Sequence, residues 1–212
     1  PHEGFYNTDA YTDHAVEFLT EAVDRDKPFF LYLAYMAPHW PLHAKPEDIA
    51  KYREFYCSTG WNALRERRCK RLIELGLIDA RWPLAPQDSR VPAWKDAPHR
   101  QWEAERMAAY AGMVDCLDQN IGRLVDHLTE RKLIDNTIIM FCSDNGACPI
   151  ERTRGKELRP WDPKSYWTYD TGWAHVGNTP FRWYKQNQHE GGITSPMIVS
   201  WAGLKTQAGC VT

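Results

Sequence analysis

The chain has no apolar run long enough to cross a bilayer. The longest, Phe29 to Ala37, falls far short of the ~20 residues that a spanning helix needs. No charge of one sign dominates either: 26 Lys and Arg meet 28 Asp and Glu, mixed along the chain, for a net charge of −2. The clustered basic footprint of a nucleic-acid binder is absent. The six cysteines (Cys57, Cys69, Cys116, Cys142, Cys148 and Cys210) form no CxxC pair, and their usage does not fix a redox compartment. GxGxxG, P-loop, HExxH and GxSxG motifs are all missing, as are internal repeats. There is no initiator Met or signal peptide before Pro1, and the chain stops at Thr212 just after an apparent strand. It reads as a piece of a longer protein.

What is present is the material of a core. The 212 residues are 43% hydrophobic and 13% aromatic, with ten tryptophans, enough for one domain or a large part of one. Ala15, Val16, Leu19 and Val23 recur at helical spacing behind a Thr8-Asp9 cap. Phe29 to Met36 then reads as a central strand, and helix followed by buried strand is half of a βαβ unit. Residues 38–100 form a loop-rich, proline-rich excursion with short helical patches at Pro46–Arg53 and Trp61–Leu75. Five basic residues in the second patch read as a solvated face. From Trp102 to Lys132 a long helix is expected, with Met107, Tyr110, Ala111, Val114, Leu117 and Ile121 on its apolar stripe. Asp115 and Asp118, three apart, read as solvent-facing residues of that helix. Strands are expected at Thr137 to Cys142 and Ile193 to Trp201, and 147–180 as an irregular aromatic loop region of the kind that carries function. Cys116 and Cys142 read as small buried hydrophobes, while Cys57 and Cys69 are a pair that an oxidising compartment would allow to bridge.

The chemistry gathers at strand ends. Ser143-Asp144-Asn145-Gly146 follows the β-branched run Thr137-Ile138-Ile139-Met140-Phe141-Cys142, so the acidic turn emerges at the strand's carboxyl end, where open α/β sheets place ligands. Asp144 offers a carboxylate and Asn145 an amide carbonyl, both hard oxygen donors for Ca²⁺ or Mg²⁺. The bland alternative is an Asx turn closing a strand. His39 stands between Pro38 and Pro41 directly after the Phe29 run, on the same rim as Asp144 if the strands are parallel. Lys185 precedes His189-Glu190-Gly191-Gly192, whose diglycine allows close backbone approach. A hard-metal half-site with a histidine and a lysine suits an oxyanion such as sulfate or phosphate.

In this order and spacing, Phe29 to Pro41, Ser143-Asp144-Asn145-Gly146, and Tyr184-Lys185 with His189-Glu190-Gly191-Gly192-Ile193 resemble a type I sulfatase of the arylsulfatase kind. The resemblance runs along the whole chain and includes Gly60-Trp61, Leu64-Arg65, Arg106-Met107, Tyr110-Ala111, Asn120 to Leu124 and Asn178 to Arg182. It implies an alkaline-phosphatase-like α/β fold, a mostly parallel sheet flanked by helices and incomplete at both ends. It also implies hydrolysis of small-molecule or carbohydrate sulfate esters at a Ca²⁺ site, with a formylglycine nucleophile made from the Cys of a Cys-x-Pro-Ser-Arg motif. Carried over, Asp144 and Asn145 match calcium ligands, His39 a proton donor to the leaving alcohol, and Lys185 a sulfate-contacting lysine. His189 and Glu190 match a family motif without an assigned role. Export to periplasm, extracellular space or lysosome is common in that family. A phosphonate monoester or phosphodiester hydrolase of the same superfamily and a degenerate, non-catalytic relative are the competing readings.

One departure matters. No cysteine of this chain is followed by x-Pro-Ser-Arg or x-Ala-Ser-Arg, and the paired aspartates that complete the family's calcium shell are absent, which places both upstream of Pro1. The purified 212-residue chain is therefore expected to show no turnover of an aryl sulfate, and measurable release of the phenol would refute this.

Overall fold

A computed structural model describes residues 4–25, 27–207 and 209–211. Four helices carry the first half: α1 (Asn7–Asp24), α2 (Pro46–Ala50), α3 (Arg53–Glu74) and α4 (Arg100–Glu130). They are followed by β1 (Ile139–Cys142), α5 (Asp170–Gly177), α6 (Glu190–Ile193) and β2 (Met197–Ser200). The long helix α4 is the spine, with α1, α2 and α3 all packed against it. Of the apolar stripe expected from the sequence, Met107, Ala111 and Leu117 are buried, Tyr110 and Ile121 half-buried and Val114 exposed, while Ala104, Ala108, Met113 and Leu128 are also buried. No described helix is long and apolar enough to cross a membrane.

The core is aromatic. Trp173 on α5 is fully buried and meets Trp61, Trp94 and Tyr56 with ring centroids 5.5, 5.6 and 5.5 Å away. Its indole N–H donates to the Glu103 carbonyl at 2.9 Å, so burial leaves no unmet donor. Trp61 does the same against Pro92 O. At Gly60 the backbone turns left-handed (φ 69°), breaking α3 so that Trp61 can enter this cluster; a Cβ there would run into the Trp94 ring.

Several sequence expectations need correction. β1 and β2 pair antiparallel, Met140 opposite Val199, not parallel. Nor is β1 the buried strand that its apolar run suggests: Met140, Phe141 and Cys142 are exposed, because a run of β-branched and aromatic residues reports strand propensity and fixes neither burial nor the direction of the neighbouring strand. The segment 29–36 is extended with alternating burial, but among the described residues no strand pairs with it. Tyr35 faces α1 and shares a 2.7 Å hydrogen bond with Thr12, while Phe30 and Tyr32 on the other face are 93% and 82% exposed. Helix α3 begins at Arg53 rather than near Trp61, and Arg65 on its basic face is buried. The region 147–180 contains α5, whose two glycines hide its helical character until tertiary burial overrides propensity. The strand expected over 193–201 shrinks to 197–200 behind α6. Cys142 is exposed, Cys116 buried, and the bridge considered for Cys57 and Cys69 is not formed. Asp115 is not a free surface carboxylate: Lys51, Tyr52 and Gln119 all donate to it.

Because Trp173 joins α3, α4 and α5, Trp173→Ala is expected to cost about 3–5 kcal/mol. Urea unfolding would show this as a lower midpoint, and a change within error would contradict the role given to this ring.

Candidate active site

β1 ends at Cys142 and the chain turns through Ser143 to Gly146. The turn is closed locally: Ser143 Oγ donates to Asn145 O at 2.9 Å, and Asn145 Nδ2 donates to Asp144 Oδ1 at 2.8 Å. These are side-chain bonds within the turn, not the side-chain-to-backbone bond of an Asx turn, and they leave the Asp144 carboxylate exposed. Beyond it the backbone is locked to α6. Gly146 N–H donates to Gly192 O at 3.1 Å, and a Cβ on Gly146 would overlap the Gly191 carbonyl oxygen. A Cβ on Gly191 would in turn overlap Trp183 O. Three chain segments touch here by backbone alone, which is what the diglycine is for.

Lys185 lies on the third of these segments. Its N–H donates to Ala147 O at 3.0 Å, one residue beyond the acidic turn. Asn178, at the end of α5, accepts from Ala147 N–H at 2.8 Å and donates to Trp183 O at 2.9 Å, bracketing both strands of the arrangement. Trp183 and Gln186 are left-handed (φ 68° and 77°), so strained residues lie on both sides of Lys185. Tyr184 anchors this loop from below. Its hydroxyl donates to Asp88 at 2.9 Å, and Asp88 pairs with Arg90 at 2.7 Å. Arg90 holds the Asp88 carboxyl well below the usual carboxylate range, while burial and then Asp88 push the Tyr184 phenol up.

His39 reaches the same region from the extended segment. Its Nδ1–H donates to Trp40 O at 2.6 Å, which leaves Nε2 as the free nitrogen. Trp40 Nε1–H donates to Cys148 Sγ at 3.4 Å, tying the His39 loop to the stretch that follows the acidic turn. So the four residues singled out from sequence sit on segments joined by direct hydrogen bonds. Apart from Asn145 to Asp144, none of their side chains bonds to another among the described residues.

As a cation site this set fits in kind but not in number. Asp144 and Asn145 supply two oxygens where calcium takes about 6–8. Among the described residues no group of three or more His, Cys, Asp and Glu converges to hold a metal. Sequence reasoning missed Asp88, Asn178 and His175, the polar groups behind the Lys185 loop. Asn178 stood in a stretch recognised only for its resemblance, and nothing local to Asp88 or His175 marks them.

The chain matches the Sulfatase family over residues 1–209. It belongs to the sulfatase family. It is 33% identical to an uncharacterized sulfatase of Schizosaccharomyces pombe, covering 95% of this chain and 39% of that one. An arylsulfatase of Klebsiella aerogenes is 29% identical over 95% of this chain and 46% of its own length. The crystal structure of Ps i-CgsB in complex with k-i-k-neocarrahexaose superimposes with a TM-score of 0.56 at 28% identity, covering 94% of this chain and 29% of that one. The chain thus spans less than half the length of these sulfatases. Its helices and small sheet are part of the alkaline-phosphatase-like α/β fold of the family.

Behind the loop, burial and then the Arg65 guanidinium pull the His175 imidazole down to about 4 from 6.5. The sign follows directly. Above pH 6.5 His175 is neutral folded or unfolded and the fold keeps its full stability. Below 6.5 the unfolded chain gains a proton that the folded one refuses, and stability falls until about pH 4. Urea unfolding at pH 7 and pH 4.5 should show the wild type losing more than His175→Gln, by on the order of 3 kcal/mol. Equal losses would contradict the assignment.

Proposed function

We propose that these residues form part of the site of a sulfuric ester hydrolase. The observation that supports this reading is the backbone junction of Gly146, Ala147, Lys185, Gly191 and Gly192, which joins the acidic turn to the Lys185 loop. Asp144 and Asn145 act as two ligands of a calcium ion whose remaining oxygens come from elsewhere. Calcium, when bound, supplies positive charge against the sulfate oxygens.

Lys185 holds a sulfate oxygen through its ammonium group, a charge-assisted contact that strengthens as negative charge grows. His39 has Nδ1–H committed to Trp40 O, so Nε2 is the position that carries the mobile proton. In its imidazolium form it hands that proton to the leaving oxygen as the S–O bond breaks, and the neutral ring keeps Nδ1–H on the carbonyl. Tight placement of the ring by this 2.6 Å bond is what proton delivery needs. The nucleophile is not among the residues of this chain. The hexaose in the Ps i-CgsB complex makes a sulfated carbohydrate the substrate class that we favour.

The test is turnover by the domain at the full length of its relatives. Lys185→Ala is expected to lower kcat/KM by about 10²–10³ on every sulfate ester. His39→Ala is expected to lose about 10²–10⁴ on an alkyl or sugar sulfate and far less on an aryl sulfate, whose phenolate leaves without a proton. The same loss on both substrates would contradict the proton-donor role.

A further inference from the structure

Beside His39 two guanidinium groups are held out on aromatic faces, without an ion-pair partner among the described residues. Arg152 lies over the Trp40 ring, its Cζ 5.7 Å from the centroid. Arg154 lies over Tyr166 at 5.0 Å, and the Trp40 and Tyr166 rings are 5.5 Å apart. Trp40 also packs on the His39 imidazole at 4.6 Å. These contacts make one continuous strip leading away from His39. Both arginines are exposed, and among the described residues neither guanidinium makes an ion pair.

The strip is not a loose surface. Arg154 and Tyr166 exchange two backbone hydrogen bonds, at 2.7 and 3.0 Å. The Tyr166 segment is bound on its other side to residues 42–43 through Leu42 N–H to Trp167 O and His43 Nε2–H to Ser165 O, both 2.9 Å. Thr168 and Thr153 tie the segments once more. Cation–π contact restricts the flexible arginine side chains before any ligand arrives, which lowers the ordering cost of binding.

The local charge is opposite to that of the chain as a whole. Residues 151–166 carry five basic and three acidic side chains, against a net charge of −2 overall. Of the three acids, Glu151 is already committed to Arg106 and Asp162 accepts from the Lys164 backbone N–H. Guanidinium forks recognise planar-faced oxyanions bidentately, and aromatic faces between them accept the apolar C–H face of a sugar ring.

We propose that Arg152 and Arg154, mounted on Trp40 and Tyr166, recognise a second sulfate group, so that the preferred substrate is a carbohydrate carrying more than one sulfate. The inference rests on the reading of His39 as the reacting centre, because the strip then begins where the cleaved ester sits. It differs from that reading in its residues and needs no calcium.

The test is binding, measured by titration calorimetry on the purified chain in EDTA at low and high salt. A disulfated disaccharide should bind about tenfold more tightly than its monosulfated counterpart, and the preference should shrink as salt rises. Arg152→Gln/Arg154→Gln should abolish the preference while leaving the melting temperature unchanged, since both side chains are exposed. Equal affinity for the two sugars would overturn the proposal, as would a preference that survives the double substitution. Binding of single-stranded DNA as tight as that of the disulfated sugar would also overturn it, by making the strip a general polyanion surface. If instead Lys185→Ala and His39→Ala leave turnover intact, the active-site reading fails while the sugar selectivity stands or falls separately.

Discussion

At Gly146 and Gly191 two backbones approach until the carbonyl oxygen of one occupies the space where a side chain of the other would begin. Everything proposed for the site depends on that contact. It brings the turn after β1, the Lys185 loop and the start of α6 into one unit; it excludes a side chain at Gly146, and the Trp183 carbonyl excludes one at Gly191. Around it Gly146 N–H, Lys185 N–H and Gly191 N–H each find a carbonyl on a neighbouring segment, so close approach leaves these groups paired. The left-handed backbone at Trp183 and Gln186 costs on the order of 1–3 kcal/mol each and persists because its surroundings over-determine it.

Behind this surface lies a buried polar network, and beyond it the aromatic core. Tyr184 joins the two: its hydroxyl reaches Asp88 and the His175 ring, while its own ring is almost fully buried. The Lys185 loop is thus supported from the interior and presented to solvent on its other side. The segments that carry Asp144, His39 and Lys185 come from three different parts of the chain and are joined by hydrogen bonds between neighbouring residues. The site proposed here would therefore be positioned by its scaffold rather than by contacts among its own side chains.

The legible parts of the sequence were those with strong local periodicity. The α4 helix was readable because its apolar residues recur at helical spacing, and the strand before Ser143 because its residues are β-branched and aromatic. The acidic turn was readable because glycine and asparagine after an apolar run carry a conformational meaning. Strand pairing was not: residues 29–36 show the alternation of a strand, yet no partner lies beside them among the described residues. Helix α5 was hidden by Gly172 and Gly177, and it forms because Trp173 and Val176 are buried. Asp88 and Asn178 were invisible for a different reason. Their bonds to Tyr184 and Ala147 join residues far apart in sequence, which no local pattern records.

The most direct test is a structure of the domain, at the length of its relatives, with a sulfamate analogue that cannot be hydrolysed. One sulfamate oxygen should lie within about 2.7–3.2 Å of Lys185 Nζ, and the bridging atom should lie within the same reach of His39 Nε2. A sulfamate bound away from both residues, with the Gly146–Gly191 junction intact, would contradict the assignment of this surface as the active site.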